Sequence, residues 1–395
     1  MVAPVEAATR RRLRVELLTR GYGGEVTGLS RYDQALIGRL RAAPDVELSV
    51  GAPRPLPLPG SGFVKRCVGL DAATFFEVYP VRPLRGRADL LHLTHLSHAS
   101  ALWWPPARPV VVTVHDIIHY VHRRDARLST YAHPVQRWFD ERATRQLRRA
   151  TLLLASSAAT RDDLVRELGI PAERIQVVPL GVDQNVFRSR AVSDEFRARH
   201  GLAADRPYVL HVSTEEPRKN LPTLLRAWRD VVARCPEAVL VKVGAPRYPR
   251  ERSRMLEQIA ALGLGSSVRI VDAVSNDDLV SFYNTATCFA FPSLAEGFGF
   301  PVLEAMACGT PVVCSDIPPL AELGGPAALR VPPSDAGALA AALLRILECT
   351  GERARLTCAG HAQARCFTWE RTAERTREAY REAAGHAASK IGAPS

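Results

Sequence analysis

The chain has no long apolar run, and this absence sets the first limit on its function. No uninterrupted apolar stretch in its 395 residues approaches the ~18 residues that a membrane-spanning helix requires. Its first residues, MVAPVEAATRRRLR, contain no apolar segment of the kind that directs secretion. We therefore predict a cytoplasmic protein, and peripheral contact with the inner face of a membrane stays open.

Cysteine pairs are missing as well. The eight cysteines are scattered along the chain without a C-x-x-C pair, which is typical of reduced thiols in the cytosol. Neither a zinc-finger pattern nor an aromatic RNA-binding signature accompanies the basic residues. These absences argue against a disulfide-based secreted fold and lead us to expect no nucleic-acid partner.

The composition is globular with an excess of positive charge. Hydrophobic residues make up 47% and charged residues 24% of the chain, values that exclude wholesale disorder. The formal net charge of +11 favours an anionic ligand or an anionic membrane surface as a partner. An arginine-rich surface without a partner would give the same number, so the charge alone does not decide between them.

Short apolar segments alternate with helical ones over most of the chain. The predicted strands are LRVELLT, VELSVG, DLLHLT, PVVVTVH and TLLLAS in the first half, and PYVLHVS, AVLVKVG, VRIVDAV, TCFAFPS and PVVCSD in the second. Such alternation predicts an α/β fold with two Rossmann-like domains, each a doubly wound parallel sheet. We place the domains at residues 1–182 and 183–365, with a helical tail over 366–395 that could cross back to the first domain.

The segment EGFGFPVLEAMACGTPVV, residues 296–313, carries two glutamates beyond the end of a predicted strand, where ligands of open α/β sheets bind. Pro301 and Gly309 are predicted to begin and end a helix. Glu304 then falls in the first turn, where it could simply stabilise the helix or could hold a diol such as a ribose. Helix stabilisation does not explain Glu296 or the glycines, which let a backbone approach a ligand closely. A glycosidase pair of carboxylates is the less favoured alternative, because both acids lie on one loop-helix unit.

A second cluster, TEEPRKNLPTLL, follows the strand PYVLHVS. Arg218 and Lys219 precede a helix for which we predict Asn220 as the N-cap and Pro222 in the first turn. Cations beside a helix N-terminus can bind a diphosphate. A solvated turn is the alternative for this cluster taken by itself.

Residues 208–322 strongly resemble the family-4 retaining glycosyltransferases, which have the GT-B fold with two Rossmann-like domains facing across a cleft. The resemblance rests on EPRKN, EGFGFPVLE and AMACGTPVVCSDIPPLAEL. It continues more weakly through VVTVHD, VVPLGVD and the glycine-rich first loop.

The resemblance implies a role for each matching residue. Glu304 would hold the nucleotide ribose, Glu296 would contact the donor sugar, and Lys219 would bind the diphosphate. His115 would approach the sugar from the opposite domain. The resemblance also implies that the donor is contacted by Arg218, Gly297, Phe298, Gly299 and Val274. In the first domain, Gly24 and Gly28 would lie near the donor phosphate or the acceptor. Two positions depart from the family pattern, because Ser213 stands where many members have a phosphate-binding arginine and Leu180 where asparagine is common.

The implied function is a retaining transfer of a hexose from a nucleotide diphosphate sugar to a glycan or lipid-linked acceptor, as in polysaccharide or glycoconjugate biosynthesis. GDP-mannose is the donor we expect, because the motifs look most like those of bacterial mannosyltransferases, and UDP-sugars remain open. We expect no cofactor and no essential metal, since the chain has no Asp-x-Asp motif.

Three alternatives stay open at this point. The segment HDIIH, from His115 to His119, resembles a zinc-hydrolase motif, but that motif needs a helix and a third ligand. A GT-B sugar-nucleotide epimerase would release product without an acceptor. A non-catalytic sugar-nucleotide-binding partner of another transferase would have been free to lose Lys219, Glu296 and Glu304.

Overall fold

The computed structural model describes residues 11–19, 28–52, 79–80, 86–125, 127–129, 131, 134–203, 205–272 and 274–391. Gly24 therefore lies outside the described residues. The described strands form two parallel sheets of six strands each. This arrangement confirms the predicted α/β fold with two Rossmann-like sheets.

The first sheet has the strand order β2-β1-β3-β4-β5-β6, and the second has the order β12-β11-β10-β7-β8-β9. The first sheet consists of β1 (Leu13–Leu18), β2 (Val46–Gly51), β3 (Leu90–Leu93), β4 (Val110–Val114), β5 (Leu152–Ala155) and β6 (Ile175–Val177). The second consists of β7 (Tyr208–Val212), β8 (Val239–Val243), β9 (Val268–Val271), β10 (Cys288–Phe291), β11 (Val312–Ser315) and β12 (Ala328–Val331).

Helices connect the strands and cover the sheets. In chain order they are α1 (Gly28–Ala42), α2 (Ile118–Val121), α3 (Pro134–Gln146), α4 (Ala158–Leu168), α5 (Asp194–His200), α6 (Leu221–Arg234), α7 (Pro249–Ala261), α8 (Asn276–Thr285), α9 (Phe300–Ala307), α10 (Pro318–Gly324), α11 (Ala336–Glu348), α12 (Thr350–Ala364) and α13 (Trp369–Ile391). Every residue of the central strands β4, β8 and β10 is buried, as expected for parallel strands covered on both faces.

The last helix, α13, packs on the first sheet although it follows the second. Tyr380 is fully buried there, and its hydroxyl lies 2.6 Å from Nδ1 of His92 in β3. The chain passes from the second sheet back to the first beside Gly181. A Cβ at this position would collide with the backbone of Trp369, so the crossing requires glycine here. The domain boundaries at residues 182 and 365 stay a prediction.

Candidate active site

The helix that carries Glu304 begins one residue earlier than predicted. Gly299 adopts a left-handed conformation with φ of 109°, and α9 starts at Phe300, so that Pro301 is its second residue. Glu304 is the fifth residue of α9, beyond the first-turn N–H groups, and the first-turn prediction was wrong. Gly309 ends the helix with a φ of 81°, in the predicted left-handed conformation.

Glu304 is buried between two donors. Its Oε2 accepts a hydrogen bond of 3.0 Å from the Tyr283 hydroxyl, and its Oε1 forms an ion pair with Arg31 of α1. Burial raises the pKa of Glu304, and this effect outweighs the charge of Arg31 and the hydrogen bonds, which lower it. The resemblance assigns the Glu304 carboxylate to the ribose. Both of its oxygens are already engaged in the structure, one by Tyr283 and the other by Arg31 of α1.

Glu296 lies in the loop between β10 and α9 and joins the two cations after β7. Its Oε1 is 2.5 Å from Nζ of Lys219, and its Oε2 is 2.8 Å from Nη1 of Arg218. Burial alone would raise the pKa of Glu296, but the charges of Arg218 and Lys219 and the Lys219 hydrogen bond lower it to about 2. Burial lowers the pKa of Lys219, opposed by the charge of Glu296. The acid is thus ionised and held in one position by Arg218 and the buried Lys219.

The turn that carries these cations differs from the prediction in its capping. Arg218 and Lys219 lie in a 3-10 turn, and Asn220 follows in a left-handed conformation with φ of 59°. Its side chain does not cap α6, because the amide donates to the carbonyls of Pro292 and Pro333 at 2.9 and 2.7 Å. Asn220 therefore occupies the predicted N-cap position of α6, but its side chain ties the turn to neighbouring loops and does not cap the helix.

His115 follows β4, and its backbone carbonyl lies against Gly297 in the loop that carries Glu296. Its Nε2 lies 3.2 Å from the carbonyl of Thr94, and its ring meets that of Tyr32 edge-on at 4.7 Å. Its Nδ1 is buried without a hydrogen-bond partner among the described residues. Burial lowers the pKa of His115 to about 4, although Asp116 and the Thr94 carbonyl raise it. The imidazole is therefore neutral at pH 7, with one buried ring nitrogen that has no partner among the described residues.

The glycine loop brings the two halves into contact. A Cβ on Gly297 would collide with the carbonyl of His115, and the Gly297 carbonyl accepts a hydrogen bond of 2.8 Å from the Ser157 hydroxyl. A Cβ on Gly28 would meet the Phe300 ring at 3.1 Å, so the start of α1 faces the start of α9. The structure thus brings the loop of Glu296 and Gly297, whose acid pairs with Lys219 and Arg218, against the backbone of His115.

Two of the predicted donor contacts have side chains that face the protein interior. Phe298 is buried, and its ring packs against those of Phe300 and Phe367. Val274 is half-buried and packs against the same core cluster.

The segment HDIIH does not form a zinc-hydrolase helix. The short helix α2 begins at Ile118, so His115 lies before it and cannot share a helical face with His119. In the part of the chain that the structure describes, no group of three or more His, Cys, Asp or Glu side chains is placed to hold a metal ion. The structure gives the hydrolase alternative no ligand set.

Comparisons with known proteins place the chain in a family. Residues 5–186 match the family model "Glycosyltransferase Family 4", and residues 192–363 match "Glycosyl transferases group 1". The MMP alpha-(1->4)-mannosyltransferase of Mycolicibacterium hassiacum is 31% identical over 92% of this chain and 91% of its own length. The chain belongs to the family-4 glycosyltransferases. A second relative of this glycosyltransferase, the O-antigen chain mannosyltransferase B of Escherichia coli, is 29% identical over 87% of this chain and 93% of its own.

Solved structures share the fold of this glycosyltransferase. Sucrose-phosphate synthase from Thermosynechococcus elongatus superposes with a TM-score of 0.74 at 23% identity, over 94% of this chain and 99% of the other. HepE from Anabaena, solved in complex with UDP and glucose, gives a TM-score of 0.67 at 20% identity, over 93% and 99%. These likenesses confirm the GT-B fold. Among the described helices of this glycosyltransferase, none is long and apolar enough to cross a bilayer.

Two contacts of the site were missed in the sequence. Arg31 stands in α1 and Tyr283 stands in α8, and the sequence analysis assigned neither residue to the site. The single signal for Arg31 was its place directly after the glycine-rich loop. A helix pattern shows which residues share a face, but it does not show which residue of another domain that face meets.

Proposed function

We propose that this glycosyltransferase is a retaining enzyme that moves mannose from GDP-mannose to a glycan or lipid-linked acceptor. The observation that carries the proposal is the ion-pair cluster of Glu296, Lys219 and Arg218, which adjoins the contact between Gly297 and the backbone of His115. Mannose is favoured because both relatives named above are mannosyltransferases. A UDP-sugar is the second candidate donor, since HepE was solved with UDP and glucose.

In the proposed mechanism, Lys219 and Arg218 stabilise the charge that develops on the leaving diphosphate. The ionised Glu296 accepts hydrogen bonds from hydroxyls of the donor sugar, and the neutral His115 contacts the sugar from the first sheet. The acceptor attacks the face from which the diphosphate departs, and the departing phosphate oxygen takes the acceptor proton. Lys219 and Arg218 supply part of the positive charge through their side chains, and we propose that no metal ion is needed.

Replacing Glu304 with alanine is expected to weaken nucleotide binding by about 1–3 kcal/mol, because ribose hydroxyls would lose their acceptor. Calorimetry with GDP and UDP measures the loss, and Glu257→Gln on the exposed face of α7 is the control. A variant that keeps full nucleotide affinity while its melting temperature drops sharply would assign Glu304 a structural role and sink the ribose assignment.

Replacing His115 with alanine is expected to depress transfer about tenfold to a hundredfold while leaving GDP and UDP binding nearly intact, because its contact is with the sugar. Initial rates and calorimetry measure the two effects, and EDTA should leave wild-type transfer unchanged. His119→Ala is the matched control and should behave as wild type. Zinc bound in stoichiometric amount and lost with activity in both variants would contradict the assignment.

A further inference from the structure

Arg218 and Lys219, the two cations of the candidate site, are already paired with neighbouring carboxylates. Arg218 pairs with Glu296 at 2.8 Å and with Glu216 at 3.0 Å, and it donates to the carbonyl of Ala295 at 3.0 Å. Lys219 pairs with Glu296 at 2.5 Å. Two cations thus face two carboxylates, which offset much of the positive charge that Arg218 and Lys219 present to a diphosphate.

Ser213 supplies no replacement charge. Its hydroxyl lies 2.7 Å from Nε2 of His211 and donates to the Thr214 carbonyl at 2.7 Å. Burial lowers the pKa of His211 to about 4, so this imidazole is neutral as well. A diphosphate in the cleft therefore needs a further cation from elsewhere in the chain.

Arg31 is a cation beside Glu304, and its hydrogen bonding is incomplete. It stands in the first turn of α1, and its guanidinium pairs with Glu304 and donates to Oδ1 of Asn276 at 3.1 Å. The Phe187 ring lies beneath it, with the guanidinium carbon 5.3 Å from the ring centroid. Its Nε is buried and has no hydrogen-bond partner among the described residues. A buried donor without a partner is unfavourable, so the observed position leaves Arg31 unsatisfied.

We propose that Arg31 is the first domain's ligand for the donor diphosphate. Ribose hydroxyls take the place of the guanidinium at Glu304, and the released guanidinium turns to a phosphate oxygen of the same nucleotide. The ribose and the first phosphate are joined only through the C5′ methylene and its ester oxygen, so both lie close to one arginine side chain. The inference rests on the proposed function, since it takes Glu304 as the ribose acceptor.

This exchange links nucleotide binding to the contact between the two domains. Without nucleotide, the Arg31–Glu304 ion pair joins α1 to α9 and compensates a buried carboxylate. With nucleotide, the same arginine joins α1 to the phosphate, so the domains stay connected through the ligand. Arg31 therefore opposes binding of a bare nucleoside and favours binding of a nucleoside diphosphate.

The test compares ligands with and without phosphate. Calorimetry with GDP, UDP, guanosine and uridine on the full chain is expected to show that Arg31→Ala weakens diphosphate binding about tenfold or more, the loss of one charge-assisted contact. Nucleoside binding should be unchanged or tighter. Arg39→Ala is the matched control, because Arg39 lies on the same helix and pairs with Glu370 of α13 at 2.6 Å.

Each outcome decides the proposal. Equal diphosphate affinity in wild type and Arg31→Ala, or tighter binding of both ligand types, would mean that Arg31 only competes with the ribose, and the proposal would fall. If Arg31→Ala does not fold, Arg31→Lys replaces it. An intermediate loss of affinity for the diphosphates alone would support the proposal. An equal loss of affinity for diphosphates and nucleosides would overturn it. A wild-type protein that binds none of the four ligands would refute the proposed function itself.

Discussion

Replacing Lys219 with alanine is expected to lower kcat by about 10²–10³, with a much smaller rise in the KM for the donor. The reason is that the Lys219 charge contributes most when the diphosphate leaves, as do other positioned donors that act on developing negative charge. Initial-rate kinetics over a range of donor concentrations measures both constants. A rise in KM with an unchanged kcat would mean that Lys219 only binds the ground state.

Lys242 offers a matched control for this experiment. It is also a buried lysine on the second sheet, and it pairs with Glu215 instead of Glu296. Lys242→Met should therefore share the stability cost of losing a buried charge while keeping kcat near the wild-type value. A comparable loss of kcat in both variants would indicate general damage to the second domain, and the assignment of Lys219 would fail.

Replacing Glu296 with glutamine is expected to destabilise the protein by about 3–5 kcal/mol, because Lys219 would be left buried without a counter-charge. Urea unfolding at pH 7 measures the change, and Glu257→Gln on the exposed face of α7 should shift stability by less than about 0.5 kcal/mol. The folded-state pKa of Glu296 is about 2, below its ordinary value of 4.5. The contribution of ionised Glu296 to the free energy of unfolding is therefore complete above pH 4.5 and is lost as the pH falls through about 2.

A double variant separates the uncompensated charge from other effects of the substitution. Glu296→Gln combined with Lys219→Met removes both members of the pair, and we expect it to be more stable than Glu296→Gln alone. Transfer should stay low in both variants, since each lacks the carboxylate. A double variant no more stable than the single one would show that the lost stability does not come from the Lys219 charge.

The sequence determined the fold class because parallel strands buried on both faces are nearly continuous apolar runs. All ten predicted strands are present, from LRVELLT to PVVCSD. The two that were missed, β6 and β12, have three and four residues. Both are edge strands that are only partly buried, so their apolar pattern is weaker than that of a strand covered on both faces.

The sequence also determined the local unit around Glu296. The loop, α9 and the glycine that ends it lie within a few residues of one another, and glycine and proline mark such boundaries directly. The E-x7-E spacing and the EPRKN segment therefore indicated where the site would be. The same local reasoning was wrong by one residue at the start of α9, and it assigned a capping role to Asn220 that its side chain does not have.

The contacts between the two halves were decided by the tertiary structure alone. Arg31 and Glu304 are 273 positions apart, and Gly297 meets the carbonyl of His115 only because the two sheets face each other. Periodicity and turn residues report on neighbours along the chain, whereas an ion pair across a cleft depends on how two domains dock. The sequence thus identified the carboxylate that we assign to the ribose, and the structure identified the arginine that now holds it.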